Sequence, residues 1–214
     1  MQLSEQEIIR RNTLHELKQL GIDPYPTGVF PVNVSAAVIH RDYTNGCSLF
    51  QDISLAGRIM SRRIMGAAAF TELQDSTGRI QIYAKRDDLC PGDDKTLYNT
   101  VFKKLLDIGD IIWIKGFVFI TQMGEVTIHV KEFKLLAKAL RPLPIVKEKE
   151  DQLFDAFTDP EMRYRQRYVD LIVNPHVKDI FTKRTRLVNT MREFLNKRRS
   201  EEHTSELQSR ITIS

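Results

Sequence analysis

ISLAGRIMSRRIMGAAAFTELQDSTGRIQIY, residues 53–83, decides the fold, because apolar residues recur there at every second position. In residues 52–59 the apolar side chains share one face, and the polar or small ones share the other. The same alternation returns in residues 79–83 and 125–130. A period of two is typical of strands that bury one face only. The residues predicted to point inward are Ile53, Leu55, Gly57, Ile59, Ile80, Ile82, Val126, Ile128 and Val130.

The segments around these strands favour one topology. Residues 75–78 and 122–124 have the composition of turns, and residues 93–106 carry apolar side chains at helical spacing. Three strands, a helix and two more strands within residues 51–140 are the pattern of a five-stranded OB-type barrel. We therefore predict a mainly β fold with flanking helices, with six or more strands or a sandwich as alternatives. Bulges or bends are predicted at Gly57, Gly66 and Gly116.

The residues before the barrel begin with a well-marked helix. Ser4 and Glu7 fit a capping box, and Gly21 followed by Pro24 ends the helical pattern. Residues 22–50 mix Pro, Gly, Asn and Ser with short apolar pieces, which predicts a connecting region.

The residues after the barrel differ in composition from its strands. RPLPIVKEKEDQ, residues 141–152, combines proline with alternating charge and predicts a linker. Asp159 and Pro160 then fit the N-cap and first position of a new helix. A further helix is expected over residues 175–198, with an apolar face for which we find no partner in the sequence.

Composition excludes several classes of protein. Apolar residues make up 42% of the chain and charged residues 28%, as in ordinary globular proteins. No apolar stretch approaches the roughly 20 residues that cross a bilayer, so we expect no membrane span. The N-terminus lacks a signal peptide and only two cysteines occur, which indicates a reducing cytoplasm and no disulfide scaffold. A net charge of +4 is too small to indicate nucleic-acid binding by itself.

Five stretches carry a resemblance to a known family. They are ISLAGRIMSRRIMG at 53–66, FTELQDSTGRIQIYAKRDDL at 70–89, GDII and KG within 109–116, RPLP at 141–144 and DPEMRYRQRYVDLIVNP at 159–175. Over about residues 1–197 the chain resembles the N-terminal half of bacterial-type lysyl-tRNA synthetases, in class II, subclass IIb. Aspartyl and asparaginyl enzymes share the barrel, but RYRQRYVDL after RPLP points to the lysyl branch.

This resemblance implies an anticodon-binding OB domain joined to a class II catalytic domain. The full enzyme would be a homodimer that activates lysine with ATP and Mg²⁺ and charges tRNA(Lys). Residues 183–197 resemble the start of class II motif 1, but the later ATP-binding motifs do not follow. We therefore expect this chain to bind the tRNA anticodon loop, to bind neither ATP nor Mg²⁺, and to be inactive as a ligase.

The resemblance also implies four anticodon-reading residues, namely Arg63, Phe70, Gln81 and Glu125. The strand pattern independently puts the last three on the outward face, where a phenyl ring can stack on a base and polar groups can read its edge. The alternatives are that Phe70 plugs one end of the barrel and that Gln81 and Glu125 are ordinary solvated side chains.

Basic side chains surround these positions and could contact an RNA backbone or form a solvated rim. The candidate backbone contacts are Arg58, Arg62, Arg79, Lys85 and Arg86. Arg163, Arg165 and Arg167 resemble RNA contacts in composition, although in the family they would join the barrel to the catalytic domain and dimer partner. The chain departs from the family pattern at two positions: Ala67 stands where a Lys is common, and Trp113 stands where a small residue is usual.

The last residues have a separate interpretation. RSEEHTSELQS, residues 199–209, resembles the translation of a common sequencing-library adapter, so we expect residues 199–214 to be non-native and to hold no metal site. The predicted divisions are 1–50 for the N-terminal helix and lead-in, 51–140 for the OB domain, 141–198 for the linker and beginning of the catalytic domain, and 199–214 for the tail.

Two other functions remain open from sequence. One is a free-standing OB protein that binds nucleic acid with little sequence preference. The other is an interaction module in which helix 183–197 docks a partner through its apolar face.

Overall fold

A computed structural model describes residues 3–44, 48–144, 147–149, 152–154 and 157–198. The predictions for the tail at 199–214 therefore lie outside the described residues. The chain divides into two compact units between Pro142 and Leu143, and each is described by itself.

The first unit is built on a closed five-stranded barrel, as predicted. Its strands pair in the order β1-β2-β3-β5-β4, and β1 closes the ring by pairing with β4. All neighbours are antiparallel except β3 and β5, which run parallel. The strands are β1 (Ile53–Met65), β2 (Ala68–Gln74), β3 (Arg79–Lys85), β4 (Ile111–Ile120) and β5 (Val126–Ala137).

The barrel interior holds the apolar core, and the predicted alternation explains which residues fill it. In β2 and β3 every second residue is buried, while the residues between them are half-buried or exposed. Leu55, Ile82 and Ile128 are fully buried. Burial of a side chain of this size contributes about 1.5–3 kcal/mol, so each of these inward residues stabilises the closed ring.

Gly116 marks the predicted irregularity in β4. The register between β4 and β5 shifts between Lys115 and Gly116, as expected for a bulge. A Cβ atom on Gly116 would lie 1.9 Å from the carbonyl oxygen of His129. The backbones of the two strands can approach this closely only because residue 116 has no side chain.

Helix α1 (Glu5–Gln19) begins with the predicted capping box. The Ser4 hydroxyl accepts from the Glu7 amide at 3.3 Å, and the Glu7 carboxylate accepts from the Ser4 amide at 2.9 Å. These two bonds satisfy donors that a helix N-terminus otherwise leaves without partners.

The prediction of a connecting region over 22–50 was incomplete, because this region contains helix α2 (Ala36–Asp42) and a single 3-10 turn at Ser48–Phe50. The amides of Ala36 and Ala37 donate to the side chains of Asp75 and Thr77 in the β2–β3 turn. Its N-terminus is thus capped by residues distant in sequence, which local sequence patterns do not reveal.

Between β3 and β4 the chain forms a short helix α3 (Arg86–Leu89) and a π-helix at Leu97–Leu105. The predicted helix at 93–106 is therefore shorter than expected and more widely wound. The Leu106 amide donates to the Val101 carbonyl five residues back, the spacing that defines a π-helix.

A buried ionic cluster anchors the turn that precedes β4. The Lys138 ammonium, which is fully buried, donates to Asp107 Oδ2 at 2.5 Å, to Asp110 Oδ2 at 2.9 Å and to the Leu105 carbonyl at 2.7 Å. The Asp110 carboxylate also accepts from the Ala139 amide at 2.8 Å. Since each buried charge has partners, the cluster fixes the end of β5 against this turn.

Trp113, unusual by family resemblance, lies on the outer side of β4 under the lead-in to the barrel. Its indole N–H donates to the Pro31 carbonyl at 2.8 Å, and its ring lies 6.1 Å from the Phe30 ring. The barrel wall therefore accommodates the large side chain by covering it with the lead-in.

Among its described residues, the second unit contains three helices and two short strands. The predicted linker, residues 141–152, includes β6 (Lys147–Lys149), and β7 (Gln152–Phe154) begins at its last residue and pairs antiparallel with β6. Helices α4 (Pro160–Arg165), α5 (Arg167–Val173) and α6 (Pro175–Lys197) follow.

The predicted cap at Asp159 is confirmed, because its carboxylate accepts from the amides of Glu161 and Met162. Helix α6 matches the helix expected over residues 175–198. Most of its apolar side chains are exposed, as the sequence pattern predicted. Within the described part of the chain, no helix is both long and apolar enough to cross a membrane.

Two arginines of the second unit bind one buried carboxylate, that of Asp170. Arg163 Nε donates to Asp170 Oδ1 at 2.9 Å, and Arg167 donates to Asp170 Oδ2. Asn174 donates to the same carboxylate at 2.7 Å. Burial opposes ionisation of Asp170, but these donors outweigh it and lower its pKa. Arg165, by contrast, pairs with Glu161 on the exposed surface.

Candidate nucleic-acid interface

An open cleft of about 720 Å³ lies on the outer face of the barrel. Strand β3 forms its floor, β2 flanks it on one side, and the start of β5 with the β4–β5 turn flanks it on the other. Residues of β1 and His40 of α2 complete the rim.

All four predicted anticodon readers, Arg63, Phe70, Gln81 and Glu125, line this cleft. Arg63 and Phe70 are directly paired across β1 and β2. The Gln81 amide Nε2 donates to Glu125 Oε2 at 2.9 Å and to Thr127 Oγ1 at 3.0 Å. The parallel pairing of β3 with β5 therefore joins two residues that are distant in sequence.

Phe70 lies on the outer face of β2, between the buried residues Ala69 and Thr71. Its ring packs against Tyr83, with 5.0 Å between the ring centroids and a 47° tilt. Phe70 therefore does not plug the barrel interior. An outward ring held by a neighbouring ring can offer its surface to a base at little conformational cost.

Phe70 belongs to a row of five residues that crosses the whole outer face, one from each strand. Arg63 pairs with Phe70, Phe70 with Tyr83, Tyr83 with His129, and His129 with Phe117. The His129 ring stacks on Phe117 at 4.8 Å and contacts Tyr83 at 5.2 Å. The sequence analysis missed this row, although aromatic residues at outward strand positions were a signal for it.

Arg79 lies in the cleft wall, where nearby side chains orient it. Its guanidinium donates to Gln74 Oε1 at 3.0 Å and to Glu72 Oε2 at 3.3 Å. The His40 ring nitrogen Nε2 lies 2.9 Å from the Arg79 carbonyl oxygen, which ties α2 to the rim. Arg79 thus adds positive charge to the cleft in a defined position.

Arg58 and Arg62 are engaged with the main chain. Arg58 donates to the Gly109 carbonyl at 2.7 Å, and Arg62 donates to the carbonyls of Leu106 and Lys103. Burial lowers the pKa of both guanidinium groups from the ordinary value. Arg62 also lines the cleft. Their predicted contact with an RNA backbone remains a prediction, but both arginines hold the turn before β4.

Lys85 and Arg86 lie at the end of β3, outside the residues that line the cleft. Lys85 is exposed, and Arg86 Nε pairs with Asp87 at 3.1 Å. The structure therefore brings Arg62, Arg63 and Arg79 to the cleft and leaves Lys85 and Arg86 outside its lining.

The β4–β5 turn holds the other wall of the cleft in a fixed shape. The Thr121 amide donates to the Glu125 carbonyl at 2.9 Å, and the Gly124 amide donates to the Thr121 carbonyl at 2.9 Å. Gly124 has a φ of +83°, which favours glycine. Met123, at the tip of this turn, lines the cleft and is 88% exposed.

Among the described side chains, no group of three or more His, Cys, Asp or Glu residues is arranged to hold a metal ion. The cleft contains the guanidinium groups of three arginines and one side-chain amide as donors, two carboxylates as acceptors, and the phenyl ring of Phe70. This set suits stacking, hydrogen bonding and charge pairing.

Comparison with known proteins agrees with the geometry. A family model described as an OB-fold nucleic acid binding domain matches residues 53–136, which span all five strands of the barrel. The barrel is an OB fold. The row of outward residues and the cleft therefore belong to a fold whose barrel face binds nucleic acids in some proteins.

Curated relatives match far more of the chain than the OB fold. The chain is 61% identical over 197 residues to the lysine-tRNA ligase of Porphyromonas gingivalis strain ATCC BAA-308 / W83, covering 92% of this chain and 34% of that protein. It is 57% identical over 196 residues to the lysine-tRNA ligase of Azobacteroides pseudotrichonymphae, covering 92% of this chain and 39% of the relative.

The lysine-tRNA ligase of Christiangramia forsetii is 56% identical over 198 residues, which cover 92% of this chain and 34% of the relative. The chain thus spans about a third of the length of the relatives it matches. Its homologues are lysine-tRNA ligases, and the match covers their N-terminal, anticodon-binding part.

Proposed function

We propose that the cleft binds unpaired bases in the anticodon loop of tRNA(Lys), as the anticodon-binding part of a lysine-tRNA ligase. One observation carries the proposal: Arg63, Phe70, Gln81 and Glu125 converge in one cleft of an OB fold. Stacking and edge recognition of unpaired bases require an aromatic face beside hydrogen-bonding groups, and this cleft combines them.

The chemistry of the cleft favours uridine over cytidine. Gln81 uses its Nε2 donors on Glu125 and Thr127, so its Oε1 is the group offered to a base as an acceptor. Uridine presents a donor at N3, whereas cytidine presents an acceptor there. Phe70 contributes stacking, and Arg63 and Arg79 supply charge for nearby phosphates.

The test uses an anticodon stem-loop RNA with the sequence UUU at the anticodon. Phe70→Ala should weaken its binding by about 1–3 kcal/mol, because one base loses its stacking platform. Phe70→Tyr keeps the ring and should bind within about twofold of the original chain. The measurement is fluorescence anisotropy at fixed salt concentration.

Phe30→Ala is the matched control, since it removes an aromatic ring that packs on Trp113 and not one in the cleft. Unchanged affinity of Phe70→Ala would remove Phe70 from the site. Equal affinity for stem-loops carrying UUU and CCC would favour the alternative of an OB protein without sequence preference.

For the natural protein we propose a longer, cytoplasmic class II ligase of subclass IIb. When bound there, ATP and Mg²⁺ would supply the activation of lysine, and the enzyme would be a homodimer. The length of the relatives and the resemblance of residues 183–197 to motif 1 support this proposal. Residues 1–214 contain no stretch that resembles the later ATP-binding motifs of class II, so we assign no catalytic step to them and propose that this chain is inactive.

Residues 141–198 would then be the linker and the beginning of the catalytic domain, and residues 199–214 would be adapter-derived. The resemblance of residues 199–209 to a translated adapter supports the second assignment. Reading the genomic locus past the codon for Lys197 tests both, and a contiguous natural gene that encodes the same tail would refute the adapter origin.

A further inference from the structure

We propose that Met123 is a base-contacting residue of the cleft, which covers the face of the bound base opposite the Phe70 ring. The sequence marked Met123 only as part of a turn at residues 122–124, and the resemblance gave it no role. The inference rests on the proposed RNA-binding function and adds a second wall to its site.

The first support is the position of Met123 across the cleft floor. The strands lie in the order β2-β3-β5, so Phe70 on β2 and the turn leading into β5 flank Gln81 on β3 from opposite sides. Both Phe70 and Met123 line the cleft. A base whose edge reaches Gln81 therefore has Phe70 on one side and Met123 on the other.

The second support is the chemistry of Met123. It is an apolar side chain, 88% exposed, on the rim of the cleft. A thioether is polarizable and makes favourable contacts with aromatic rings, worth about 0.3–1.5 kcal/mol. A nucleobase entering the cleft would bury this side chain and offer such a ring.

The third support is the rigidity of the turn. Thr121, Gly124 and Glu125 exchange two main-chain hydrogen bonds, and Thr121 Oγ1 also accepts from the Glu125 amide at 3.1 Å. The same Glu125 carboxylate accepts from Gln81. The main chain that carries Met123 is therefore held close to Gln81 and Glu125, which reduces the cost of ordering this turn around a bound base.

The test measures binding of the UUU stem-loop to the 214-residue chain and three variants. Met123→Ala should weaken binding by about 2- to 10-fold, the range that corresponds to a lost sulfur–aromatic contact. Met123→Leu keeps most of the apolar contact, so its affinity should lie between those of the original chain and Met123→Ala. Gln122→Ala alters the neighbouring exposed residue, which does not line the cleft, and should leave affinity unchanged.

A second measurement reports on contact directly. With ¹³C-methyl-labelled methionine, the Met123 methyl resonance is the one that disappears in Met123→Leu. Adding the stem-loop should move it upfield, because a methyl group over the face of an aromatic ring experiences its ring current. A purely structural role of Met123 would not produce this shift.

The outcomes separate this inference from the proposed function. If Phe70→Ala loses affinity while Met123→Ala does not, and the methyl resonance stays in place, RNA binding stands and the role of Met123 is wrong. If neither variant changes affinity, both proposals are wrong. If Met123→Ala weakens binding and the methyl resonance moves upfield, Met123 is part of the site.

Discussion

The barrel buries its apolar side chains, whereas helix α6 exposes most of its own. In the barrel they point into a closed ring, where Leu55 is 0% exposed. On α6 they lie at the surface, where Leu187 is 64% exposed and Ile180 and Phe194 are exposed as well. Both segments follow a clear apolar period, of two residues in the barrel and near 3.6 in the helix. An amphipathic pattern thus predicts an apolar face, but only topology decides whether the chain covers it.

The largest expected effect concerns the closure of the barrel. Gly116→Ala should lower the free energy of unfolding by at least about 4 kcal/mol, because the new Cβ would overlap the backbone of β5. The fluorescence of Trp113, the single tryptophan, follows barrel unfolding in urea.

Gly78→Ala is the control for this change, since an added Cβ there meets no atom within 4 Å. A Gly116→Ala chain as stable as the Gly78→Ala chain would mean that the close strand contact is not needed to close the ring.

The next effect compares two leucines directly. Leu55→Ala should cost about 2–5 kcal/mol, since it leaves a cavity in the barrel core. Leu187→Ala should change stability by no more than about 0.5 kcal/mol, because its side chain is exposed. Urea unfolding monitored by far-UV circular dichroism compares them, and equal losses would show that α6 is covered in solution.

The smallest expected effect is pH-dependent and belongs to the barrel unit. Burial would raise the pKa of Asp75, but hydrogen bonds from Ala36, Thr77 and Gly78 outweigh it and lower the pKa. A lowered pKa stabilises the folded state at pH values above the ordinary pKa near 3.9, and this stability is lost as the pH falls below it.

Asp75→Asn should therefore lower the free energy of unfolding at pH 7 by about 1–2 kcal/mol and by less at pH 3. Urea unfolding at both pH values, followed by Trp113 fluorescence, gives the comparison. A loss of equal size at the two pH values would show that the charge of Asp75 contributes nothing.

Local pattern predicted the strands, because a strand with one buried face has to alternate. It could not predict helix α2. Its seven residues are too few to show a helical repeat of apolar side chains, and its N-terminal amide donates to Asp75 in a turn distant in sequence. At Leu97–Leu105 the sequence pattern predicted a helix but not that it is a π-helix. The spacing of apolar residues does not show whether each amide bonds to the carbonyl four or five residues earlier.

The candidate site divides in the same way. Outward strand positions and family resemblance supplied Phe70, Gln81 and Glu125, and the structure brings them together in the cleft. The bond between Gln81 and Glu125 depends on the parallel pairing of β3 and β5, which neither strand specifies by itself. Arg62 looked like a surface cation, but its partners are carbonyls far away in sequence.

The parallel pairing of β3 with β5 also governs when the protein can become functional during its synthesis. Hairpins such as β1–β2 and β2–β3 can form as soon as their strands leave the ribosome, but β3 must wait for a strand that begins at Val126. Pairings between strands far apart in sequence form slowly, because a long loop has to close first. A nascent chain that ends within β4 would carry Phe70 and Gln81 without Glu125, and would leave the edge of β3 exposed to aggregation.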